Sequence, residues 1–402
     1  MSERFDVCVV GGGLIGLSTA RSLTQMRDGI SILVLEKEHD IATHQSGHNS
    51  GVVHSGLYYR PGSLKARLCV EGREQTYALC EEAGIAFKRS GKLVVATDRS
   101  QVPALEQLER RGRANGLLGI ERIDRQEITS IEPQATGLEA LWIPESGVVD
   151  FALVARHHAT VLETYGATTV TDSPVTEIDH EPDGVAIHAG DQVYRARTLV
   201  NCAGLQSDLV ARLAGIQPEV RIIPFRGEYY RLRADATSLV KGLIYPVPDP
   251  RFPFLGVHFT RRVDESVEVG PNAVLAIGRE HYRDARPDWS EFRAIVGHPG
   301  FRRLAARHWY AGMKEMVNSR FKSLYARQAQ KLVPGLKSVD LIEGGAGIRA
   351  QAVDRSGRLL DDFVIEQAGA TIHVLNAPSP GATASMAIGR HVADRLTALL
   401  GG

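Results

Sequence analysis

The 402-residue sequence has few cysteines, no net charge and no long apolar run. Its four cysteines, at positions 8, 69, 80 and 202, form neither a CxxC pair nor another metal-ligand spacing. This favours a reducing compartment over a disulfide framework and argues against structural zinc. Forty-seven basic residues balance forty-seven acidic ones, so the chain lacks the positive field of a dedicated nucleic-acid-binding protein. We expect a cytoplasmic protein without a metal or a nucleic-acid partner.

Membrane-spanning segments are also missing from the sequence. No stretch reaches the roughly 20 consecutive apolar residues that cross a bilayer, and the first residues do not read as a secretory signal. A surface patch assembled by folding does not show in a hydropathy scan, so peripheral contact with the inner face of a membrane stays open. The basic stretch 302–331 is expected to be a solvated helical face or a contact with an anionic membrane.

The first 36 residues contain a nucleotide-binding fingerprint. Gly11-x-Gly13-x-x-Gly16 lies between a strand-like run at 5–10 and a helix-like run at 14–26, and Glu36 ends the next strand-like run. Glycines at these positions allow a tight turn, the approach of a pyrophosphate to the helix N-terminus and close helix–strand packing. Glu36 can accept hydrogen bonds from both ribose hydroxyls and repels a 2′-phosphate. The fingerprint therefore predicts FAD or NAD, and not NADP.

The rest of the chain, at a length typical of two or three domains, divides into helices and two groups of strands. Helices are predicted at 63–83, 102–116, 151–165 and 288–331, and strands at 91–97, 168–178, 185–188 and 198–204. Strand-like runs at 222–232, 242–247, 254–260 and 273–277 predict an antiparallel sheet. Glycine-rich stretches at 44–62, 344–349 and 378–383 predict loops or turns, which often carry function.

Several long motifs resemble a known class of flavoproteins. With the fingerprint, Asn201-Cys-Ala-Gly204, Gly345-x-Gly347-x-Arg349 and Pro378-x-x-Gly-Ala-Thr383 resemble the amino-acid oxidase and glycine oxidase class of FAD proteins, over the whole chain. A narrower resemblance, to the L-2-hydroxyglutarate oxidase/dehydrogenase family, is carried by Ser46-Gly-His-Asn-Ser-Gly-Val-Val-His-Ser-Gly-Leu-Tyr-Tyr59, Pro61-Gly-Ser-Leu-Lys-Ala66 and Pro253-Phe-Leu-Gly-Val-His-Phe-Thr260.

The resemblance implies an α/β plus α+β fold with two domains. A Rossmann-like FAD-binding domain would be assembled from residues 1–88, 148–219 and 335–402. A substrate domain built on an antiparallel sheet, residues 89–147 and 220–334, would be inserted between these stretches.

The resemblance also implies the FAD site. FAD would lie extended, with its diphosphate at Gly13, its ribose at Glu36, its adenine at the backbone of Val175, and its ring system near the loop from Ser46 to His54. The implied FAD-binding residues are Gly11, Gly13, Leu14, Ile15, Gly16, Glu36, Lys37, Thr43, Ser46, Asn49, Ser50, Gly51, Val175, Ala203, Gly204, Gly347, Ile348, Arg349, Gly381, Ala382 and Thr383. A noncovalent site meets every need of the fingerprint, and His44, His48 and His54 are the alternatives for covalent attachment.

The implied reaction is oxidation of (S)-2-hydroxyglutarate to 2-oxoglutarate by hydride transfer to flavin N5. It needs a base for the hydroxyl proton, and among fourteen histidines we select His54 and His258, either of which could instead be structural. A dicarboxylic hydroxy acid also needs carboxylate anchors and hydroxyl donors. The substrate-binding candidates are Arg226, Arg349, Lys65, Tyr58, Tyr59 and Tyr245.

The sequence leaves open both the electron acceptor and two alternative functions. Electrons could pass from the reduced flavin to oxygen, giving hydrogen peroxide, or to a membrane quinone. An amine oxidase of the glycine or sarcosine type is the alternative enzyme, since it would use the same fold and flavin with another pocket. A non-catalytic nucleotide-binding protein is the alternative of another class.

Overall fold

The structure is a computed structural model that describes residues 4–249, 255–282 and 287–401 of the chain. Within these residues the strands form sheets of eight, nine and three strands, and ten α-helices pack around them. No helix in this part of the chain is both long enough and apolar enough to cross a membrane.

The strands and helices of the described residues are numbered in chain order. The strands are β1 (Arg4–Val10), β2 (Ile32–Leu35), β3 (Val52–Val53), β4 (Phe87–Lys88), β5 (Lys92–Ala96), β6 (Glu121–Asp124), β7 (Glu139–Ile143), β8 (Gly147–Val149), β9 (Thr168–Val170), β10 (Val175–Glu181), β11 (Gly184–Ala189), β12 (Gln192–Asn201), β13 (Val220–Leu232), β14 (Leu243–Pro246), β15 (His258–Arg261), β16 (Val267–Gly270), β17 (Val274–Leu275), β18 (Leu341–Asp354), β19 (Val364–Ala368) and β20 (Thr371–Asn376). The helices are α1 (Leu14–Met26), α2 (Leu64–Ala83), α3 (Val102–Ala114), α4 (Arg125–Ile131), α5 (Phe151–Thr164), α6 (Ser207–Leu213), α7 (Trp289–Gly297), α8 (Pro299–Arg320), α9 (Lys322–Ala329) and α10 (Ser385–Leu399).

The first sheet has a parallel centre. Strands β12, β1, β2 and β9 lie side by side in parallel, β20 pairs in parallel with β12, and the hairpins β10–β11 and β19–β20 extend the sheet. Buried apolar residues fill β2 and the second half of β1, and helices α1, α5 and α10 pack against this core. The carboxyl ends of β1 and β2 therefore meet at one edge, where ligands bind in such sheets.

The second sheet is antiparallel with one exception. Its order is β17-β13-β16-β15-β14-β5-β7-β6, and β18 pairs with β13 along almost its whole length, from Val220 opposite Asp354 to Leu232 opposite Leu341. Strand β14 runs parallel to β5, so the predicted antiparallel sheet is mixed at this pair. The arrangement otherwise agrees with the expected α/β plus α+β build.

The glycine-rich stretch 344–349, expected as a turn, is the middle of the long strand β18. A Cβ atom at Gly344 would lie 2.6 Å from the carbonyl oxygen of Tyr229, and one at Gly347 would lie 2.6 Å from that of His48. These glycines therefore permit close approach of other backbone segments to an extended strand, and do not reverse the chain. The prediction of a turn was wrong for this reason.

Two predicted strands and one predicted domain segment differ from the structure or extend beyond their expected place. The strand expected at 168–178 divides into β9 and β10, and the strand expected at 254–260 begins only at His258, with residue 254 outside the described ranges. The segment 335–402, assigned to the FAD-binding domain, also contributes β18 to the second sheet. The two-domain division itself remains a prediction.

Candidate active site

A cavity of about 820 Å³ lies at the carboxyl edge of the first sheet and extends to the second sheet. Its walls come from the β1–α1 turn, the loop at 42–50, the start of β10, the turn after β12, strand β18 and the segment that precedes α10. Gly227 and Tyr229 of β13, Tyr245 of β14 and His258 of β15 close it from the second sheet. Its size is at the upper end of ordinary ligand pockets, as an extended dinucleotide requires.

The nucleotide end is built around the N-terminus of α1. Gly11 has a φ of +111°, and a Cβ atom there would lie 2.6 Å from the carbonyl oxygen of Cys202. Gly13 is the N-cap of α1 and has no capping side chain, so the first amides of the helix point toward the cavity. The Leu14 amide donates to Oγ of Ser46 at 2.9 Å. The glycines thus make a cradle that side chains would fill.

Glu36 lies beside this cradle. Its Oε2 accepts from the amide of Gly12 at 2.8 Å, and its Oε1 accepts from the amide of Glu38 at 3.0 Å. A carboxylate has about four lone-pair positions, so two remain for ribose hydroxyls. The residues present therefore fit a dinucleotide with a free 2′-hydroxyl.

Most of the FAD-binding residues implied by the resemblance are brought together in the cavity wall. They are Gly11, Gly13, Leu14, Ile15, Glu36, Lys37, Thr43, Ser46, Asn49, Ser50, Val175, Ala203, Gly204, Gly347, Ile348, Arg349, Gly381 and Ala382.

Gly16, Gly51 and Thr383 do not line the cavity and support it instead. Gly16 lets α1 pack on the Gly11 carbonyl, where a Cβ atom would clash. Gly51 has a φ of +69°, and its amide donates to the side chain of Asn49 at 2.9 Å. The buried Thr383 hydroxyl accepts from the amide of His54 at 3.0 Å and donates to the Val52 carbonyl at 3.2 Å. These three residues therefore support the loop and the turn that line the cavity; for Gly16 this is the packing role predicted from the fingerprint.

A network of charges forms the wall next to Glu36. The ammonium of Lys37 bonds to Glu38, to Glu280 at 2.8 Å and to Nε2 of His44 at 3.0 Å, and His44 lies 2.8 Å from Glu38. Glu38, His44 and Glu280 have the spacing of metal ligands, but the ammonium lies among the same atoms. The geometry is therefore that of an ion-pair network.

His258 is held in one tautomer at the other end of the cavity. Its Nδ1 lies 2.9 Å from the carbonyl oxygen of Gly256, and because a carbonyl only accepts, Nδ1 carries the proton and Nε2 keeps its lone pair. The ring stacks on Tyr245 with centroids 3.9 Å apart. Burial lowers the pKa of His258 to about 3, with Arg349 and Lys92 adding to the effect. The imidazole is therefore a neutral proton acceptor at physiological pH.

His54, the second predicted base, also lines the cavity and is neutral. Burial, with the nearby charges of Lys92 and Lys65, lowers its pKa to about 3. Its Nε2 is 3.4 Å from Oγ of Ser379, and its buried Nδ1 has no hydrogen-bond partner among the described residues. In the part of the chain that the structure describes, no backbone acceptor selects its tautomer, in contrast to His258.

Arg349 supplies the guanidinium of the same region. It lines the cavity, and burial lowers its pKa from the usual value, while the neighbouring Tyr229 and Tyr245 act in the opposite direction. Burial raises the pKa of Tyr229 to about 12, so its hydroxyl stays protonated and can donate. Tyr245 also lines the cavity, and burial raises its pKa above the usual value.

Arg226, the other predicted carboxylate anchor, does not line the cavity. Its guanidinium pairs with Glu228 at 2.8 Å and contacts His281 at 3.4 Å. Gly227 and Tyr229 line the cavity, whereas Arg226 and Glu228, which pair with each other, do not. The expectation for Arg226 is corrected on this ground.

Tyr58, Tyr59 and Lys65 lie behind the wall and do not line the cavity either. Lys65 bonds to the carbonyl of Asp361 at 2.8 Å and to its carboxylate at 3.1 Å, and its ammonium lies 5.0 Å from the ring centroid of Tyr59. Tyr58 is half-buried, with its ring near Lys92.

Two residues of this region were missed in the sequence. Tyr229 lies where the register of β13 against β18 shifts between Glu228 and Tyr230, so a simple period of two along the strand does not single it out. Lys92 begins an apolar strand, where a lysine is ordinarily solvent-exposed, yet here it is fully buried. Only the tertiary structure shows that Lys92 lies next to the candidate histidines.

Comparison with known proteins agrees with this geometry. Residues 6–395 match the family model described as FAD dependent oxidoreductase. The L-2-hydroxyglutarate dehydrogenase of Indibacter alkaliphilus is 46% identical over 391 residues, which cover 97% of this chain and 98% of that protein. Among solved structures, an L-alpha-glycerophosphate oxidase from Mycoplasma pneumoniae with FAD bound has a TM-score of 0.80 at 24% identity, covering 98% of this chain and 95% of that one. A glycine oxidase from Geobacillus kaustophilus has a TM-score of 0.75 at 18% identity, covering 99% and 95%.

The fold and cavity therefore define an enzyme of the FAD-dependent oxidoreductase class, with FAD as its cofactor. Within that class the chain belongs to the family of L-2-hydroxyglutarate dehydrogenases, which confirms the resemblance carried by the motifs at 46–59, 61–66 and 253–260.

We predict that Glu36→Gln weakens FAD binding without unfolding the protein. The amide keeps the size of the side chain but makes neutral hydrogen bonds to the ribose, so the dissociation constant should rise roughly tenfold. Fluorescence of FAD released on dilution measures this. Glu163→Gln is the control because Glu163 is exposed on α5 and does not line the cavity, and equal FAD release from both variants would remove Glu36 as the ribose anchor.

Proposed function

We propose that the enzyme oxidises L-2-hydroxyglutarate to 2-oxoglutarate. The names of its relatives support this substrate, and the observation that carries the proposal is the wall of the cavity beside β13–β15. There a neutral histidine, an arginine and two protonated tyrosines meet, and no acid lines this end among the described residues.

This wall suits a hydroxy acid in three ways. The guanidinium of Arg349 offers a planar pair of donors to one carboxylate. The hydroxyl groups of Tyr229 and Tyr245 can donate to the second carboxylate or to the forming keto oxygen. Nε2 of His258 accepts the proton of the substrate hydroxyl. When bound, FAD supplies the two-electron acceptor for the hydride that leaves C2.

We propose that the FAD is held without a covalent bond. The His44 ring is engaged with Glu38 and Lys37, and Nδ1 of His48 donates to the carbonyl of Ala346 at 3.2 Å. The His48 ring also packs on Tyr282, with centroids 4.6 Å apart. Both of these rings therefore have structural partners, and a noncovalent site meets every need of the fingerprint, so attachment through His54, the third candidate, is not required.

A substrate panel separates this function from amine oxidation, the alternative that the glycine oxidase fold allows. Anaerobic holoenzyme is mixed with L-2-hydroxyglutarate, its D enantiomer, glycine or sarcosine, and loss of the oxidised flavin absorbance is followed. We expect fast bleaching by L-2-hydroxyglutarate alone. Bleaching by glycine or sarcosine, with none by L-2-hydroxyglutarate, would assign the amine oxidase function.

We further propose that the enzyme works in the cytoplasm at the inner face of a membrane and passes its electrons to a membrane quinone. Helix α8 exposes Trp309, Tyr310, Met313 and Met316 on successive turns. Aromatic and apolar side chains in a helix rich in arginine are typical of an interfacial segment. All four cysteines are free thiols, in keeping with a reducing compartment.

We predict that Met313→Asp with Met316→Asp weakens binding to vesicles of anionic phospholipid by about fivefold, because two apolar contacts become repulsive charges. Co-sedimentation measures the bound fraction. Leu118→Asp is the control, since Leu118 is even more exposed than the two methionines but lies outside α8. The membrane proposal fails if the wild type does not bind these vesicles and if oxygen reoxidises its reduced flavin faster than a short-chain quinone does.

A further inference from the structure

Lys92 is a fully buried lysine at the start of β5. Its Nζ has no hydrogen-bond partner among the described residues. The ammonium instead lies 4.7 Å from the ring centroid of Tyr58 and 5.2 Å from that of Tyr245. It is thus held by two aromatic rings and by no carboxylate that the structure describes.

A buried charge without a counter-ion costs stability, and contacts with aromatic rings offset only part of that cost. Methionine or leucine would fill the same space in a buried strand without it. Burial lowers the pKa of Lys92 to about 8, so the group is still largely charged at neutral pH. A buried lysine that lowers the stability of the fold indicates a role in the function of the site.

The position of Lys92 connects it to the site. Tyr245, which it contacts, lines the cavity and stacks on His258. The charge of Lys92 contributes to the lowered pKa values of both His258 and His54. The charge of Lys92 therefore influences the substrate end of the cavity, although Lys92 itself does not line the cavity.

The other charged groups of this region leave a positive balance. The charge of Arg349 helps to lower the pKa of His258. Lys65 has the same effect on the pKa of His54, but its ammonium is paired with Asp361. The carboxylate of Glu268 helps to raise the pKa of Tyr245, and this carboxylate is paired with Arg262 at 3.2 Å. Buried Cys69, which also faces Lys92, is a neutral thiol, since burial raises its pKa to about 12.

The acids of the cavity lie elsewhere. Among the lining residues that the structure describes, the only ones are Glu36 and Glu280, and both belong to the nucleotide end around Lys37. Nothing in the described wall beside Tyr245 thus neutralises the charge of Lys92.

We propose that Lys92 is a positioning residue that makes the cavity select a dicarboxylate: its buried ammonium, placed behind the Tyr245–His258 wall, attracts the second carboxylate of the substrate. This inference rests on the proposed oxidation of L-2-hydroxyglutarate. It adds the group that distinguishes a dianion from a monoanion of the same length.

The test compares Lys92→Met with Lys92→Arg in the FAD-loaded enzyme. The probes are glutarate, a dianion that cannot be oxidised at C2, and pentanoate, the monoanion of equal length, each detected by its perturbation of the flavin absorbance. For Lys92→Met we expect glutarate to bind at least about tenfold more weakly and pentanoate no more than about threefold, while Lys92→Arg stays close to wild type. Equal weakening of both ligands, or none, would overturn the proposal.

Denaturation shows whether Lys92 is instead a structural residue. Its pKa in the folded protein is below that of an unfolded lysine, so the unfolded chain binds more protons between about pH 8 and 10, and wild-type stability should rise over that range. Lys92→Met should consequently be at least as stable as wild type at pH 7, with the difference shrinking toward pH 10. A Lys92→Met protein that is much less stable than wild type at pH 7 would contradict the proposal.

The wild type offers a test that needs no variant. Glutarate affinity should fall as the pH rises through about 8, where Lys92 loses its charge, while pentanoate affinity should change less. Parallel pH profiles for the two ligands would count against Lys92. Failure of the proposed function is distinguishable, because it would appear as a flavin that L-2-hydroxyglutarate does not bleach, whatever the ratio of glutarate to pentanoate affinity.

Discussion

Replacing His258 by alanine should slow the anaerobic reduction of the flavin by L-2-hydroxyglutarate about 10²–10⁴-fold, the usual contribution of a positioned base. The Gly256 carbonyl fixes the proton on Nδ1, so Nε2 alone is available to take the hydroxyl proton. FAD content should stay normal, because the predicted nucleotide contacts, the β1–α1 turn and Glu36, lie at the other end of the cavity. Stopped-flow absorbance measures the reduction rate.

The pH dependence of kcat/KM and the replacement of His54 provide two further checks on the role of His258. The pKa of His258 is lowered to about 3, so the base is already neutral above about pH 5 and wild-type kcat/KM should show no histidine-dependent rise between pH 5 and 8. His54→Ala should have the smaller effect, since its tautomer is not fixed by a backbone acceptor. If His54→Ala is the slower variant and His258→Ala reduces flavin within about threefold of wild type, the roles are reversed.

The second large effect is expected at Arg349. Arg349→Lys keeps the charge but loses the planar pair of donors, so kcat/KM for L-2-hydroxyglutarate should fall by one to two powers of ten, roughly the 1.4–2.8 kcal/mol of one bidentate contact. A monocarboxylic hydroxy acid should lose less if the arginine binds the distal carboxylate, and as much if it binds the carboxylate next to C2. Steady-state kinetics with both substrates measures the difference.

Arg226→Lys is the matched control for this experiment. Both arginines lie on paired strands, with Arg226 opposite Ile348 and Arg349 opposite Phe225, but the guanidinium of Arg226 pairs with Glu228 outside the cavity. We expect Arg226→Lys to stay within about threefold of wild type, as for a partly exposed ion pair. A larger loss in Arg226→Lys than in Arg349→Lys would contradict the placement of both residues.

The nucleotide site was predictable because its rules are local. Gly11, Gly13 and Gly16 are required by one turn and one helix start, and Glu36 by the strand that follows, so about 30 residues carry the whole signal. Val175 is farther along the chain and was placed by the resemblance, not by local rules. The long motifs carried the family assignment in the same way.

The substrate end was less predictable because it is assembled across the second sheet. Gly344 and Gly347 suggested a turn, whereas their lack of a Cβ atom serves close approach of Tyr229 and His48. Arg226 was a reasonable anchor in the sequence, but its guanidinium pairs with Glu228 and does not line the cavity. Lys92 gave no usable signal, since burial of a lysine at the start of a strand depends on what packs over it.

The proposed oxidation of L-2-hydroxyglutarate is tested most directly by a stoichiometric anaerobic titration. Holoenzyme is titrated with L-2-hydroxyglutarate while flavin absorbance and 2-oxoglutarate are measured in the same sample. We predict that one equivalent bleaches the oxidised flavin fully and yields one 2-oxoglutarate per FAD. A flavin that stays oxidised in excess L-2-hydroxyglutarate, or is bleached without formation of 2-oxoglutarate, would contradict the account.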